Sequence, residues 1–465
     1  VTSSIRPAPQ QTRLSSAYWR LWIASTVSNL GDGVFLVALP LMASRLTSSP
    51  LSISLVGVFA GLPWLVLPLP IGAIIDRSDR RRLLLQADTF RTILVGLLAV
   101  VVASGHTRIW MLWVVALGLG VAEVFFDNAS QAILPAIVPA ELLEKANGRR
   151  YSAEVTANIF VGTPLGSLFF TLALWLPFVV DSLSYMMAVL LVITVRGSFR
   201  APTSAGSGSS ERATTLRDDV RNGLSWLWSH RLLRGLAIAL GLSNFGFQMS
   251  QAVFVLFAKE RLHISDGQFG LLLSAMGLGA IVGGLVGDRL VAAVGRLVAL
   301  YGSVVVWIIT LTAVGAVPVA WFVTVMAAIE SLAATVWNVV TVSLRQQIVP
   351  DHLFGRVNSV YRWFGWGTIP LGALAGGEVA HLFGLRMPYF VGAGFVAVAL
   401  VVLVCTVTPG RLLQAETEAA AERMRRDGMA ADSRDDHPWD DDDGTSSRDD
   451  TPPHIERDPS WICLD

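Results

Sequence analysis

Four carboxylic acids stand where such groups are costly. Asp32, Glu123, Asp127 and Glu330 each lie inside a long apolar stretch, and a charged side chain at the centre of a bilayer costs about 2.5 to 3.5 kcal/mol on insertion scales. A chain that keeps them there has a binding or charge-moving use for them, or satisfies them against a neighbouring helix. Asp32 lies 14 residues into the first stretch counted from Tyr18, about 20 Å along a helix at 1.5 Å per residue. That places it near mid-membrane, with Asn29 one turn earlier on the same face. A carboxyl at that depth could exchange a proton and link proton entry to the release of a bound molecule; the alternative is a hydrogen bond that fixes its helix. Glu330 has no basic residue within two turns, so it faces a cavity or a packing partner. Glu123 and Asp127 are four apart and share a helix face, while Asn244, Gln248 and Gln251 form a polar stripe at i, i+4 and i+7. That stripe suits a substrate surface or hydrogen bonding between helices.

The elements that position these groups follow from composition. The 465 residues are 53% hydrophobic and 15% charged, with a mean hydropathy of +0.57, whereas ordinary soluble domains carry roughly a quarter charged residues. A spanning helix needs about 20 apolar residues, while a barrel strand needs only about 9 to 11 in alternation. The run lengths therefore predict helices, near residues 18–44, 52–75, 83–104, 109–131, 151–172, 175–195, 233–258, 264–287, 297–316, 320–344, 357–380 and 388–407. The expectation is an all-α membrane protein of twelve spans.

Arginine marks the loops. It clusters at Arg77, Arg80, Arg81 and Arg82 after span 2, at Arg149 and Arg150 after span 4, and from Arg196 to Arg234 after span 6. Basic loops stay in the cytoplasm, so the even-numbered loops and both termini are expected inside. Residues 1–16 are polar and read as a cytoplasmic segment with no signal peptide. Residues 196–232 turn to Ser, Gly and Thr before an amphipathic stretch from 216 to 232 that suits the inner surface. Residues 410–465 hold 16 acids against 7 arginines, a composition expected to be disordered.

The chain repeats itself. Ile137-Val-Pro139 through Asn147 matches Ile348-Val-Pro350 through Asn358, 211 positions on, and Pro177-Phe-Val-Val180 matches Pro388-Tyr-Phe-Val391 at the same spacing. Gly72-Ala-Ile-Ile-Asp76-Arg77 returns as Gly284-Leu-Val-Gly-Asp288-Arg289, and Ser28-Asn29-Leu-Gly31 as Ser243-Asn244-Phe-Gly246. Four anchors in order predict two parallel six-helix halves, residues 17–195 and 233–409.

With the Gly72, Asp76, Arg77, Arg80 and Arg81 pattern between spans 2 and 3, this organisation resembles the major facilitator superfamily. Ser28-Asn-Leu-Gly-Asp32, Ile133-Leu-Pro-Ala-Ile-Val-Pro139 and Pro177-Phe-Val-Val-Asp181-Ser-Leu-Ser-Tyr185 are similar to its bacterial branch of macrolide-type and enterobactin-type exporters. The resemblance implies that helices 1, 4, 7 and 10 line a central cavity, which makes Asp32, Asn29, Glu123, Asn244, Gln248 and Glu330 its proton-coupling or substrate residues. It implies also that Asp76 braces helix 11 and that Arg80 pairs with Asp127, forming with Gly72, Arg77 and Arg81 a gate that closes on the inside. Asp79 replaces the motif's second glycine, and an acid there could compete with Asp127 for Arg80. Gly162-Thr163-Pro164 is similar to an antiporter glycine-proline motif with one residue inserted.

These features predict a secondary transporter, not an enzyme: a proton-coupled exporter of amphipathic small molecules in a bacterial plasma membrane. Export of a siderophore or secondary metabolite, and a non-transporting sensor or scaffold, are the alternatives. No phosphate loop is present, and seven histidines and two cysteines show no ligand spacing, so neither cofactor nor metal is expected. The expected partners are a small molecule, protons and the bilayer, without nucleic acid, and the expected state is a monomer.

Overall fold

The computed structural model describes residues 14–67, 78–139, 142–195, 216–349, 351–414 and 417. The chain divides into two units, Val1–Glu416 and Thr417–Asp465; the second has one described residue, so the expectation for the acidic tail lies almost wholly outside the described residues. The first unit is helical throughout its described elements, in the order α1 (Ser16–Leu46), α2 (Pro50–Val66), α3 (Arg80–Ala103), α4 (Ile109–Ile137), α5 (Leu143–Val155), a π-helical segment (Thr156–Gly162), α6 (Thr163–Leu172) and α7 (Leu176–Ile193). There follow α8 (Leu216–Ser229), α9 (Arg231–Gln251), α10 (Phe254–Glu260), α11 (Asp266–Val294), α12 (Arg296–Ala316), α13 (Ala320–Ile348), α14 (Asp351–Gly367), α15 (Ile369–Phe383) and α16 (Met387–Thr406).

Among the described residues, 10 helices are long and apolar enough to cross a membrane, counting α5 to α6 and α9 to α10 as one each, and α2 is a shorter apolar helix. The eleventh expected span, read from sequence as continuous over 357–380, is broken between α14 and α15, where Pro370 sits in the first turn of α15 and cannot donate a hydrogen bond back into the preceding helix. The seventh is likewise divided, at Ala252 and Val253. Residues 68–75, the end of the expected second span, lie outside the described residues. With those breaks counted, the helices reproduce the twelve-span plan, and α8 is the expected amphipathic stretch, packed on α14.

Helices α1, α3, α4 and α7 pack around one another, as do α9, α12, α13 and α16. The two groups meet where α2 lies on α15 and α6 on α11. Small residues permit that approach: a Cβ on Gly270 of α11 would fall against Thr163 and Ser167 of α6, and such stripes let membrane helices touch backbone to backbone. The backbone N–H of Gly270 donates to Ser167 Oγ at 2.7 Å, and Thr163 Oγ1 lies 3.0 Å from Ser274 Oγ. The residue inserted between Gly162 and Pro164 thus joins the two groups of helices. The π-helical segment ends two residues before Pro164, whose missing N–H leaves the preceding turn free to widen.

Candidate functional site

Between the two groups of helices is a cavity of about 570 Å³, within the range of ligand pockets. Asp32 of α1, Arg91 of α3, Glu123 of α4, Asn158 of the π-helical segment and Tyr185 of α7 line it from one side. From the other come Phe247, Gln248 and Gln251 of α9, Phe254 and Val255 of α10, and Phe269, Leu273 and Met276 of α11. Its charge is therefore on one wall, whereas apolar residues line both: Phe35, Leu36, Leu39, Ile53, Val56 and Leu119 flank the charged groups.

The charged wall is a connected cluster. The Tyr185 hydroxyl donates to Asp32 Oδ1. The Arg91 guanidinium lies over the Phe126 ring at 4.9 Å and the Tyr185 ring at 5.3 Å, and Arg91 Nη1 is 3.7 Å from Asp88 Oδ1 one helical turn away. That separation is an ion pair but too long for a hydrogen bond, and neither oxygen of Asp88 has a hydrogen-bond partner. Asp181 is fully buried, also without a partner for either oxygen, and its Oδ1 lies 2.6 Å from where a Cβ on Gly31 would stand. Only a glycine at position 31 admits that carboxyl against the backbone of α1. Asp32, Asp88, Glu123, Asp127 and Asp181 all lie within the field of Arg91. Arg91 pairs with Asp88 and acts on the other four carboxyl groups only at longer range.

Of the residues expected from sequence to form the site, Asp32, Glu123 and Gln248 line this cavity. Asn29 does not: its Nδ2 donates to Ser25 O at 2.7 Å and Ser25 Oγ at 3.2 Å, one turn back on its own helix. Asn244 donates to Gly365 O at 2.8 Å and ties α9 to α14. Glu330 lines a separate pocket of about 170 Å³ with Asn244 and Trp307. Its Oε1 is buried without a partner, and Phe247, Met276 and Ser331 form a wall common to that pocket and the central cavity.

The expected gate is only partly within view. Gly72, Asp76 and Arg77 lie outside the described residues. Arg80 and Asp127 make no ion pair or hydrogen bond with each other, and Arg80 Nε is buried without a partner. Arg81 instead donates to Val192 O at 3.2 Å and Ile193 O at 2.8 Å, binding the final carbonyls of α7. Asp79 does not act as a rival for Arg80 here: its Oδ1 accepts from the backbone N–H groups of Arg81 and Arg82 and caps α3.

Sequence reasoning passed over Arg91 and Asp88. A charged pair at i, i+3 inside an apolar stretch was the signal, and by cost alone it ranks with Asp32. The family resemblance implies a cavity lined by helices 1, 4, 7 and 10, and these two residues are on helix 3. Asp181 and Tyr185 served only as signature residues.

The chain matches the family model described as "Transmembrane secretion effector" over residues 8–436. It is similar to macrolide efflux protein A of Streptococcus pyogenes, 22% identical over 372 residues, which is 79% of this chain and 90% of the relative. The multidrug efflux pump Tap of Mycolicibacterium fortuitum is 25% identical over 388 residues, again 79% of this chain and 90% of the relative. Among solved structures it resembles the nucleoside transporter NupG, with a TM-score of 0.63 at 14% identity over 85% of this chain and 100% of the other. A bacterial homologue of the iron transporter ferroportin in its inward-facing state gives 0.64 at 14% identity over 83% and 98%. Likeness at that identity speaks for the fold. Two repeated groups of helices around a central cavity, and a family match over nearly the whole length, place this chain in the transmembrane secretion effector family of major facilitator transporters.

Proposed function

We propose that the chain exports amphipathic small molecules through the central cavity in exchange for protons, by rocking of its two halves about that site. The observation that carries this reading is the placement of the cavity's charge, all of it on one wall of a largely apolar space. Asp32 and Glu123 stand beside Arg91 on one wall, opposite Phe247, Phe254 and Phe269 on the other. A molecule with an apolar body and a protonated amine fits that arrangement, because its body covers the aromatic wall while its charge meets the acids. Binding such a cation and binding protons then compete for the same carboxyl groups, and that competition is the coupling. The similarity to a macrolide efflux protein and a multidrug efflux pump supports the direction and the substrate class.

In this reading Asp32 is the coupling acid, positioned by Tyr185, and Glu123 and Gln248 contact the substrate. Glu330 is a second acid reached past Phe247. The protein is a monomer in a bacterial plasma membrane with both ends of the chain in the cytoplasm, as the arginine-rich even loops favour. Gly72, Asp76, Arg77, Arg80, Arg81 and Asp127 form the inner gate, and the Arg80 to Asp127 contact belongs to a state other than the one described.

Reconstituted vesicles test this. With a proton gradient, wild type should accumulate a cationic amphipathic dye such as ethidium. Asp32→Asn should lose gradient-driven accumulation by about tenfold or more while still exchanging labelled for unlabelled dye, since exchange needs no net proton movement. Gradient-driven accumulation by Asp32→Asn equal to wild type would rule Asp32 out as the coupling acid.

A further inference from the structure

A third cavity, of about 210 Å³, lies between α9, α12, α13 and α14. It contains positive charge and, among its described lining residues, no acid. Arg345 of α13 and Arg362 of α14 both line it, with Asn244, Trp337, Asn338 and Tyr361. Arg345 is only 9% exposed. Its Nε donates to Thr341 O at 3.2 Å, its Nη1 donates to Asn358 Oδ1 at 2.7 Å, and its guanidinium lies 4.1 Å from the centre of the Tyr361 ring. All three partners are uncharged side chains or backbone. Arg362 stacks over Trp366 at 5.1 Å, and neither arginine forms an ion pair with a described residue.

Buried charges are paired as a rule, because removing an ion from water costs several kcal/mol that only a counter-charge with good hydrogen bonds returns. Here Arg345 breaks the rule, and the half-buried Arg362 adds a second unpaired positive charge to the same cavity. The titratable groups acting on Arg345 are Tyr361 and Arg362, and the second repels it. Asp127 of α4 feels Arg362 from across the halves without reaching ion-pair distance. A further donor lacks a partner: Trp337 is 1% exposed and its indole Nε1 has no hydrogen bond. Two guanidinium groups, an indole N–H and the amide of Asn338 therefore surround a space that nothing negative fills.

We propose that this cavity is an anion site, which takes a phosphate-type oxyanion between Arg345 and Arg362. Guanidinium forks match the oxygens of such a group in pairs, and a single indole donor can complete its coordination. The ligand's chemistry is the same whether the phosphate is a free anion or the headgroup of an anionic lipid. The site is separate from the central cavity, since neither arginine lines that space, and it does not depend on what the protein exports.

The test uses the full-length purified protein, with thermal unfolding followed by tryptophan fluorescence. Inorganic phosphate in saturating excess should raise the apparent Tm by about 3 °C over chloride at matched ionic strength, through mass action on the folded state. In a second arm, micelles doped with phosphatidylglycerol are compared with micelles doped with a glycolipid that has no phosphate. A rise with inorganic phosphate identifies a soluble anion, and a rise with phosphatidylglycerol alone identifies the headgroup. Arg362→Gln should lose the response. Asn338→Glu supplies a carboxylate inside the cavity, so it should lose the response and melt no lower than Asn338→Gln in chloride. Because that variant adds charge and keeps both arginines in place, it remains informative if removing an arginine prevents folding. The proposal is overturned if neither source stabilises wild type, if the variants respond as wild type does, or if Asn338→Glu melts below Asn338→Gln.

Discussion

Arg91 organises the charged wall through its shape as well as its charge. The guanidinium lies over two rings, Phe126 and Tyr185, and reaches Asp88 on its own helix. Stacking and a planar fork are properties that lysine lacks, so Arg91→Lys should be as damaging to gradient-driven transport as Arg91→Gln, each by about tenfold or more. Arg91 is 3% and Asp88 1% exposed; breaking a buried pair by removing one member costs about 3 to 5 kcal/mol, largely because the other charge is left alone. Arg91→Gln should therefore melt well below wild type, and Arg91→Gln combined with Asp88→Asn should recover much of that loss. Equal melting of the single and double variants would show that the two residues are not energetically coupled. That Asp32 and Glu123 line a cavity was legible from sequence because each is an acid in a stretch of apolar residues. The role of Asn29 was not, since an asparagine's choice between a cavity and a carbonyl four residues back is settled by side-chain rotation, which spacing along a helix does not determine.

At the scale of the helices, the sequence showed where spans lie but not how they are interrupted. Pro370 and Pro164 were visible as prolines, yet one breaks a span in two and the other follows a π-helical turn without ending its span; the difference depends on which neighbours satisfy the freed carbonyls. Thr163 looked like an interruption of a glycine-proline motif and instead carries hydrogen bonds to α11, at Gly270 O and Ser274 Oγ. Two glycines of α11 make this contact testable. A Cβ on Gly270 would stand within 3 Å of Ser167 Oγ and Cβ, whereas one on Gly284 meets nothing within 4 Å. Gly270→Val should wedge α6 from α11, lowering the melting temperature and abolishing dye transport. Gly284→Val should leave both near wild type. Similar outcomes for the two valines would mean that close approach of α6 and α11 is not what position 270 provides.

For the whole molecule, rocking requires contacts between the halves that can be broken, and one cluster of them is ionic. Arg45 near the end of α1 pairs with Asp266, the first residue of α11, which also holds Lys259 Nζ at 2.7 Å from α10. Asp266 is 7% exposed and sits in the first turn of its helix, where the macrodipole favours a carboxylate. Among the described residues, Arg45 and Asp266 form the ion pair that joins the two groups of helices. It was invisible in the sequence: the partners are 221 positions apart and no repeat or motif links them. In the proposed orientation this pair lies at the outer end, opposite the arginine-rich loops, so the outward-facing state must open it. With Cys405 and Cys463 replaced by alanine, the substitutions Arg45→Cys and Asp266→Cys place two thiols where the ion pair was. A short cleavable bifunctional maleimide should join them, stop dye export, and release it again on cleavage. Export by the cross-linked protein at the rate of the cleaved one would show that this end stays shut throughout the cycle, and the rocking motion would have to be replaced by a path that leaves α1 and α11 together.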